Sequence, residues 1–533
     1  MFSKIWYKLV TTVTGGAVLI AFFSIIAKLV GLFRDRLLAS GFGADRILDI
    51  YYASFRLPDL IFNTLVLGAL SAAFIPIFIR LWEIDKKRAW ELVNITINKI
   101  VGLLIVLAIL AIIFAPLVVK IIAPGFTGAD QTLTVTLTRI MLLSIIFFGF
   151  SNVLSGVLNS VKDFVPYAIA PIFYNIGIII GIVWLYPWLG VRGLAWGVVL
   201  GSILHLLLQL PAVMKKGWHY QFIFRRTAEF GKMIKLMLPR TIGLAANQIN
   251  QLVITSIAST LSIGSIAVFN LANNLQNFPI SIFGLSLAIA AFPVMSRAWA
   301  TENKSDFRGS FSLTFRKILF FIIPVSVFVL ILRAHIVRLV LGTGSFDWED
   351  TYYTAQVLGI FALSLFAQGS IPLLARSFYS RENTAIPVIV GIISVAINLI
   401  LAFWLSSIWG IIGLALAFSL ANIVNMLLLL IILREQAGDL DDKNVILSVI
   451  KIGINSILSG GVVYGLLHLL APVIHTDTFL GLLIQAGLAF GGGLTIYICL
   501  ALVTNMDEIL IIKRFLAQYF GFLFKNKNHH GTE

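Results

Sequence analysis

The chain has 533 residues, 59% of them apolar and only 12% charged, with Lys+Arg 39 against Asp+Glu 24 for a formal charge of +15. A soluble globular protein carries about 25% charged residues, so half of the usual polar coat is missing and no globule of this size could hide the apolar remainder from water. A soluble enzyme, a disordered chain and a disulfide scaffold are excluded, and the composition predicts an all-α integral membrane protein.

The basic excess lies in short runs between apolar stretches and not on one folded face, which is the pattern of the positive-inside bias and not of nucleic-acid binding. Lys4 and Lys8 precede an apolar run over 10–32 that is too long for a signal-peptide core and lacks a small-residue cleavage site, so it reads as a retained first span. Each crossing needs roughly 20 apolar residues, and cutting at the polar, Pro/Gly and charged breaks gives about fourteen. In chain order they are 10–40, 55–81, 92–123, 132–160, 164–186, 191–214, 232–261, 265–296, 311–341, 351–379, 385–406, 410–434, 447–472 and 478–503. Beyond them, Met506–Leu523 mixes Asp507, Glu508, Lys513 and Arg514 with apolar residues at helical spacing, as a surface-lying amphipathic helix would. With both termini cytoplasmic, most of the 39 basic residues fall on the cytoplasmic side, so an even number of spans is expected.

The sequence repeats itself. GADRILDIYYASFRLP (Gly43–Pro58) returns as GSIAVFNLANNLQNFP (Gly264–Pro279), and GVRGLAWG (Gly190–Gly197) as GIIGLALA (Gly410–Ala417). GVLNSVKDFVP (Gly156–Pro166) and ARSFYSRENTAIP (Ala375–Pro387) keep the same spacing. A repeat with an even number of spans relates two halves by an axis along the membrane normal, a transporter plan. The expected organisation is an N-terminal lobe of six helices (1–225), a C-terminal lobe of six (226–436), two additional helices (437–505) and an amphipathic tail (506–533).

Charge inside a bilayer is expensive and marks function or internal pairing. The first two spans hold Lys28, Arg34, Asp35, Arg36, Asp49, Arg56 and Asp59. They form either an internal ion-pair cluster or a hydrated cavity that receives an anion, for which the arginine fork suits phosphate. In the second half Asn270, Asn273, Asn274 and Asn277 make one helical stripe, and the preceding span carries Asn247, Gln248, Asn250 and Gln251. Such amides either glue helices together or wall a cavity for sugar and peptide groups. His205 and His335 stand apart from metal-ligating partners, and the single Cys499 reads as a packing residue. No phosphate loop and no acid–base or nucleophile constellation stands out, so neither an enzyme nor a cofactor or metal site is expected.

Over Gly31–Phe78 (GLFRDRLLASGFGADRILDIYYASFRLPDLIFNTLVLGALSAAFIPIF), Ser155–Gly181, Asn277–Ser296 and Ala375–Leu401, in order, the chain resembles the MurJ/MviN family of bacterial lipid II flippases, within the multidrug/oligosaccharidyl-lipid/polysaccharide exporter superfamily. The resemblance implies fourteen helices and a secondary transporter in the bacterial inner membrane. Its cargo would be lipid II, the undecaprenyl-diphosphate-linked disaccharide-peptide, turned from the cytoplasmic to the outer leaflet by alternating access, with the cell-wall synthesis machinery as a partner. It places cavity charges at Lys28, where an arginine is common, and at Arg34, Asp35, Asp49 and Arg56. The chain departs from the common pattern at Phe62 and Asn63, where an arginine pair is usual, and at Asn273 and Asn274, where Asp-Arg is usual. Another polyprenyl-linked oligosaccharide or an amphipathic drug is the alternative cargo.

Overall fold

A computed structural model of the chain describes residues 13–67 and 69–509. Lys4, Lys8 and nearly all of the expected amphipathic tail lie outside them; of that tail only Met506 and a 3-10 turn at Asp507–Ile509 are described. Among the described residues the regular structure is entirely helical. Among the described residues nine helical segments are long and apolar enough to cross a membrane, or ten if a pair bent by 48° counts as one span.

The chain opens with α1 (Val13–Phe42), α2 (Arg46–Ser54), α3 (Arg56–Phe62) and α4 (Ala69–Ile84), with a π-helical stretch at Asn63–Leu67. The helix α5 (Lys86–Ile122) starts well before its apolar window because the Asp85 side chain accepts from the Lys87 and Arg88 amides. The order continues with α6 (Gly128–Met141), α7 (Ser144–Ser160), α8 (Phe164–Ile180), a second π stretch at Gly181–Leu185, α9 (Tyr186–Leu189) and α10 (Arg192–Lys215). Next come α11 (Ala228–Ser259), α12 (Ser265–Pro279), a third π stretch at Ile280–Leu285, α13 (Ser286–Ala300) and α14 (Lys304–Val340). The last are α15 (Trp348–Ala362), α16 (Leu365–Tyr379), α17 (Ala385–Ala437, two helical halves that meet at the non-helical Gly410), α18 (Asp442–Leu470) and α19 (Phe479–Val503).

The contacts group the described residues of Met1–Leu271, Val340–Tyr353 and Val395–Ala417 into one compact unit, and those of Ala272–Leu339, Thr354–Ser394 and Phe418–Glu533 into another. The first unit is packed around Phe74, Phe78, Leu92, Val93, Leu104, Val153 and Val157. The second is packed around Phe311, Phe315, Ile318, Ile322, Leu373 and Phe378. Cys499 is exposed, which corrects its reading as a packing residue. The buried face of α19 runs through Leu482, Gln485, Ala486, Ala489, Gly493, Tyr497 and Ala501, and position 499 points away from that stripe.

The sequence echoes correspond to local devices. Gly190 (φ +58°) and Gly410 (φ +56°) each turn the chain in the left-handed region, and a Cβ at Gly193 or Gly413, three residues on, would sit 2.5 or 2.0 Å from the carbonyl oxygen of Leu185 or Leu405. The break between α6 and α7 and the break between α15 and α16 likewise recur at the repeat spacing. A side-chain carbon at Gly149 would lie 2.2 Å from Leu104, and one at Gly369 would lie 2.0 Å from Ile322.

In lipid there is little hydrophobic drive between helices, so small residues that bring backbones together matter most. On α8 and the π stretch after it, Gly177 and Gly181 oppose Gly201 and Gly197 of α10; a Cβ at Gly177 would meet the Gly201 Cα at 2.2 Å and one at Gly197 the Gly181 Cα at 2.6 Å. Because backbone cannot swing aside, Gly197→Leu is expected to cost about 3 kcal/mol, the top of the overpacking range. A lower melting temperature in detergent reads this out, and Gly461→Ala, where nothing lies within 4 Å, serves as the neutral control.

Candidate functional site

Arg34, on α1, spends its fork on two partners. Nε and Nη2 donate to Asp35 Oδ1 at 3.0 and 2.7 Å, and Nη1 donates to Asn175 Oδ1, on α8, at 3.0 Å. Asn175 is fixed in that orientation because its amide nitrogen donates to the Pro171 carbonyl at 3.0 Å and the Ala27 carbonyl at 3.4 Å. The Arg34 side chain keeps 20% of its surface exposed while Asp35 keeps 3%, so the cation and not the carboxylate is the accessible member of the pair. Lys28, six positions earlier on the same helix, is half-buried.

Arg56 opens α3 immediately after the kink at Phe55. Its Nε donates to Thr255 Oγ1 of α11 and its Nη2 to Asn270 Oδ1 of α12, both at 2.7 Å. Both acceptors are aimed by their own donations, the Thr255 hydroxyl to the Gln251 carbonyl at 2.9 Å and the Asn270 amide to the Ile266 carbonyl at 2.7 Å. The hydrogen-bond partners of Arg56 are thus neutral; Asp59, one turn on, is its charged neighbour, but among the described residues Arg56 forms no ion pair. A predicted cation and a predicted amide, 214 positions apart, meet here.

Asp49 is 1% exposed and serves a different geometry. Its two oxygens accept from the Gly264 amide at 2.7 Å and the Ala267 amide at 2.9 Å, so it caps the N-terminus of α12. Other bonds at the same end form a belt. The Ser345 amide donates to the Ser40 carbonyl (2.8 Å), the Ala44 amide to Asp350 (2.8 Å) and the Gly125 amide to the Ser259 hydroxyl (3.2 Å), while Arg46 pairs with Asp130 (3.3 Å). The belt is reciprocal at the repeat spacing, with Gly125 packed on Ser259 and Gly344 packed on Ser40.

The remaining amides divide. Asn250 is buried and accepts from Asn398 at 2.7 Å, and Asn273 accepts from Gln276 at 2.9 Å, so both have helix-bracing partners. Asn247 and Asn277 are exposed and Asn274 is half-buried. Asn175, Thr255, Gln276 and Asn398 were not singled out from the sequence. As polar residues in apolar windows Asn175 and Asn398 carried a signal, whereas Thr255 carried none. His205 accepts or donates with Ser151 at 2.7 Å and His335 with Gln485 at 3.1 Å, and no group of metal-ligating residues occurs among the described residues.

These sites lie in a chain whose residues 38–484 match the family model described as lipid II flippase MurJ. A lipid II flippase MurJ from Burkholderia cenocepacia is 28% identical over 425 residues, covering 78% of this chain and 82% of that protein. A protein from Rhizobium meliloti described as a probable lipid II flippase MurJ is 30% identical over 417 residues, covering 76% and 77%. Among solved structures, a lipid II flippase MurJ in an inward closed conformation superposes with a TM-score of 0.77 at 26% identity, covering 92% of this chain and all of that one. An inward-facing MATE family multidrug transporter of the MOP superfamily, at 16% identity and a TM-score of 0.68 over 80% of this chain, shares the fold. The chain belongs to the lipid II flippase MurJ family.

Proposed function

We propose that this protein is a secondary transporter that turns lipid II from the cytoplasmic to the outer leaflet of the bacterial inner membrane by alternating access of its lobes 1–225 and 226–436, with both termini cytoplasmic. It would hand its cargo to the cell-wall synthesis machinery. The observation that carries this reading is Arg56, a guanidinium among apolar helices whose two hydrogen-bond partners are neutral and whose charged neighbour Asp59, one turn on, does not close to an ion pair with it. Such a charge is costly in a membrane unless an anion or water compensates it, and a diphosphate offers the matching bidentate acceptor.

Lys28 and Arg34 are the other diphosphate contacts in this reading, with Asp35 orienting Arg34. Asn247, Asn270, Asn274 and Asn277 offer donors and acceptors to sugar and peptide, while Asn250 and Asn273 brace that wall. The belt around Asp49 is the closed outer gate. Carrying a diphosphate headgroup bare through hydrocarbon would cost tens of kcal/mol, so a polar cavity that replaces its solvation is what the task requires. The test is translocation of labelled lipid II in vesicles containing only this protein, with and without an imposed voltage. Movement of lipid II supports the reading. Movement only of another polyprenyl-linked oligosaccharide would assign the chain to the alternative cargo.

A further inference from the structure

Residues 217–227, between α10 and α11, run as an extended strap along α5, and their polar backbone is served by two asparagines one helical turn apart. Asn94 donates to the His219 carbonyl at 3.1 Å and accepts from the Trp218 indole at 3.0 Å. Asn98 donates to the Gln221 and Ile223 carbonyls at 3.0 and 3.1 Å and accepts from the Tyr220 hydroxyl at 2.9 Å. Irregular backbone persists at membrane depth only when its carbonyls are satisfied in this way. The strap's outward residues are apolar: Phe222 is 77% exposed and Phe224 57%, their rings stacked at 6.0 Å.

Where the strap returns to α11 there is a cavity of about 320 Å³ lined by Arg88, Glu91, Arg225, Arg226, Thr227 and Glu229, among others. Glu91 is engaged by Arg225, and Arg88 is largely exposed beside Asp85 at 3.6 Å. Arg226 has a like charge, Lys99, as its electrostatic neighbour. Three guanidiniums and the neighbouring Lys99 ammonium thus face three carboxylates, Asp85, Glu91 and Glu229, so the cluster keeps a net positive charge, with a hydroxyl beside it and two phenyl rings that face outward next to it. A free anion would use the first feature alone; a ligand with a phosphate and an acyl chain uses both.

We propose that this cavity holds the phosphate of an anionic phospholipid, with Phe222 and Phe224 against its acyl chains, as a site separate from the Arg34 and Arg56 clusters. At the basic, cytoplasmic end of these helices the lipid would come from the inner leaflet, where anionic headgroups are drawn to such clusters. The full-length protein in detergent is examined by native mass spectrometry with phosphatidylglycerol, phosphatidylcholine and inorganic phosphate. The wild type is expected to retain one phosphatidylglycerol that resists dissociation and is not displaced by inorganic phosphate. Arg88→Gln with Arg226→Gln, which spares the Arg225–Glu91 pair, is expected to weaken it at least about tenfold. Arg297→Gln with Lys304→Gln, in another basic loop, is expected to leave it unchanged. Phe222→Ser with Phe224→Ser alters only exposed rings and is expected to weaken the lipid too, which keeps the test decisive if the arginine variant misfolds. Full retention in both variants, equal loss in the Arg297/Lys304 control, or displacement by inorganic phosphate would each overturn the proposal.

Discussion

Replacing Arg56 with Ala is expected to reduce lipid II translocation by about a hundredfold or more while leaving the protein inserted and folded. The size follows from removing one member of a desolvated, hydrogen-bonded charge contact, about 3 kcal/mol. The fold is expected to tolerate the change because opposing terms nearly cancel. Losing the guanidinium leaves Thr255 Oγ1 and Asn270 Oδ1 without their donor, at about 1–3 kcal/mol each. It also removes the standing cost of a cation held among apolar helices, several kcal/mol. Arg56→Lys keeps the charge but cannot reach Thr255 and Asn270 with one ammonium as the fork does, so intermediate activity is expected. The measurement is the rate of labelled lipid II translocation in vesicles beside the melting temperature in detergent. Wild-type flipping by Arg56→Ala would remove Arg56 from the diphosphate site, and a collapsed melting temperature would make it a structural brace.

How much of this was legible in the sequence depends on the range of the signal. Apolar windows locate helices well, since one span predicted at 164–186 is the helix Phe164–Ile180 continued through a π stretch to Leu189. They misjudge ends, because caps such as Asp85 carry helices beyond the hydrocarbon-compatible stretch. The repeat was readable because its glycines are demanded by local geometry: Gly190 and Gly410 occupy left-handed backbone, and Gly193 and Gly413 press against carbonyls. The three π stretches, at 63–67, 181–185 and 280–285, leave no comparable trace, for each follows an apolar window without changing its composition. Residue types at the candidate site were also readable, but partners were not. Nothing local in the sequence tells that Arg56 finds Asn270 rather than Asp59, one helical turn away, or that Arg34 shares Asp35 with Asn175 as a further acceptor. Pairings across 141 or 214 positions are set by helix packing, which a single sequence does not display.

Asp49 shows the same limit and yields the second large effect. Read as a cavity charge, it is found accepting from two amides at the start of α12, with Arg46 3.9 Å away. Asp49→Ala would strand both amides in a buried place, and hydrogen bonds to a charged acceptor contribute about 1.5–3 kcal/mol each, so about 3 kcal/mol of belt stability is expected to go. Asp49→Asn is no rescue: its amide oxygen can serve one N–H, but its NH2 would meet the other donor to donor. If the belt is the closed outer gate, 3 kcal/mol moves the open-to-closed ratio by roughly 150-fold, enough to populate a state that the wild type hardly visits. The chain's single cysteine makes this measurable, since Cys499→Ser leaves a cysteine-free background. Ser265, 2% exposed beside the capped amides, becomes a reporter as Ser265→Cys. A membrane-impermeant maleimide is expected to label the reporter slowly with Asp49 present and rapidly with Asp49→Ala, while lipid II translocation falls because the cycle no longer returns to its cargo-loading state. Unchanged labelling with normal translocation would show that the cap is dispensable and that the belt is held by Ser40, Ser259 and Asp350 alone. Faster labelling with normal translocation would keep Asp49 in the gate but take gate closure out of the rate-limiting part of the cycle.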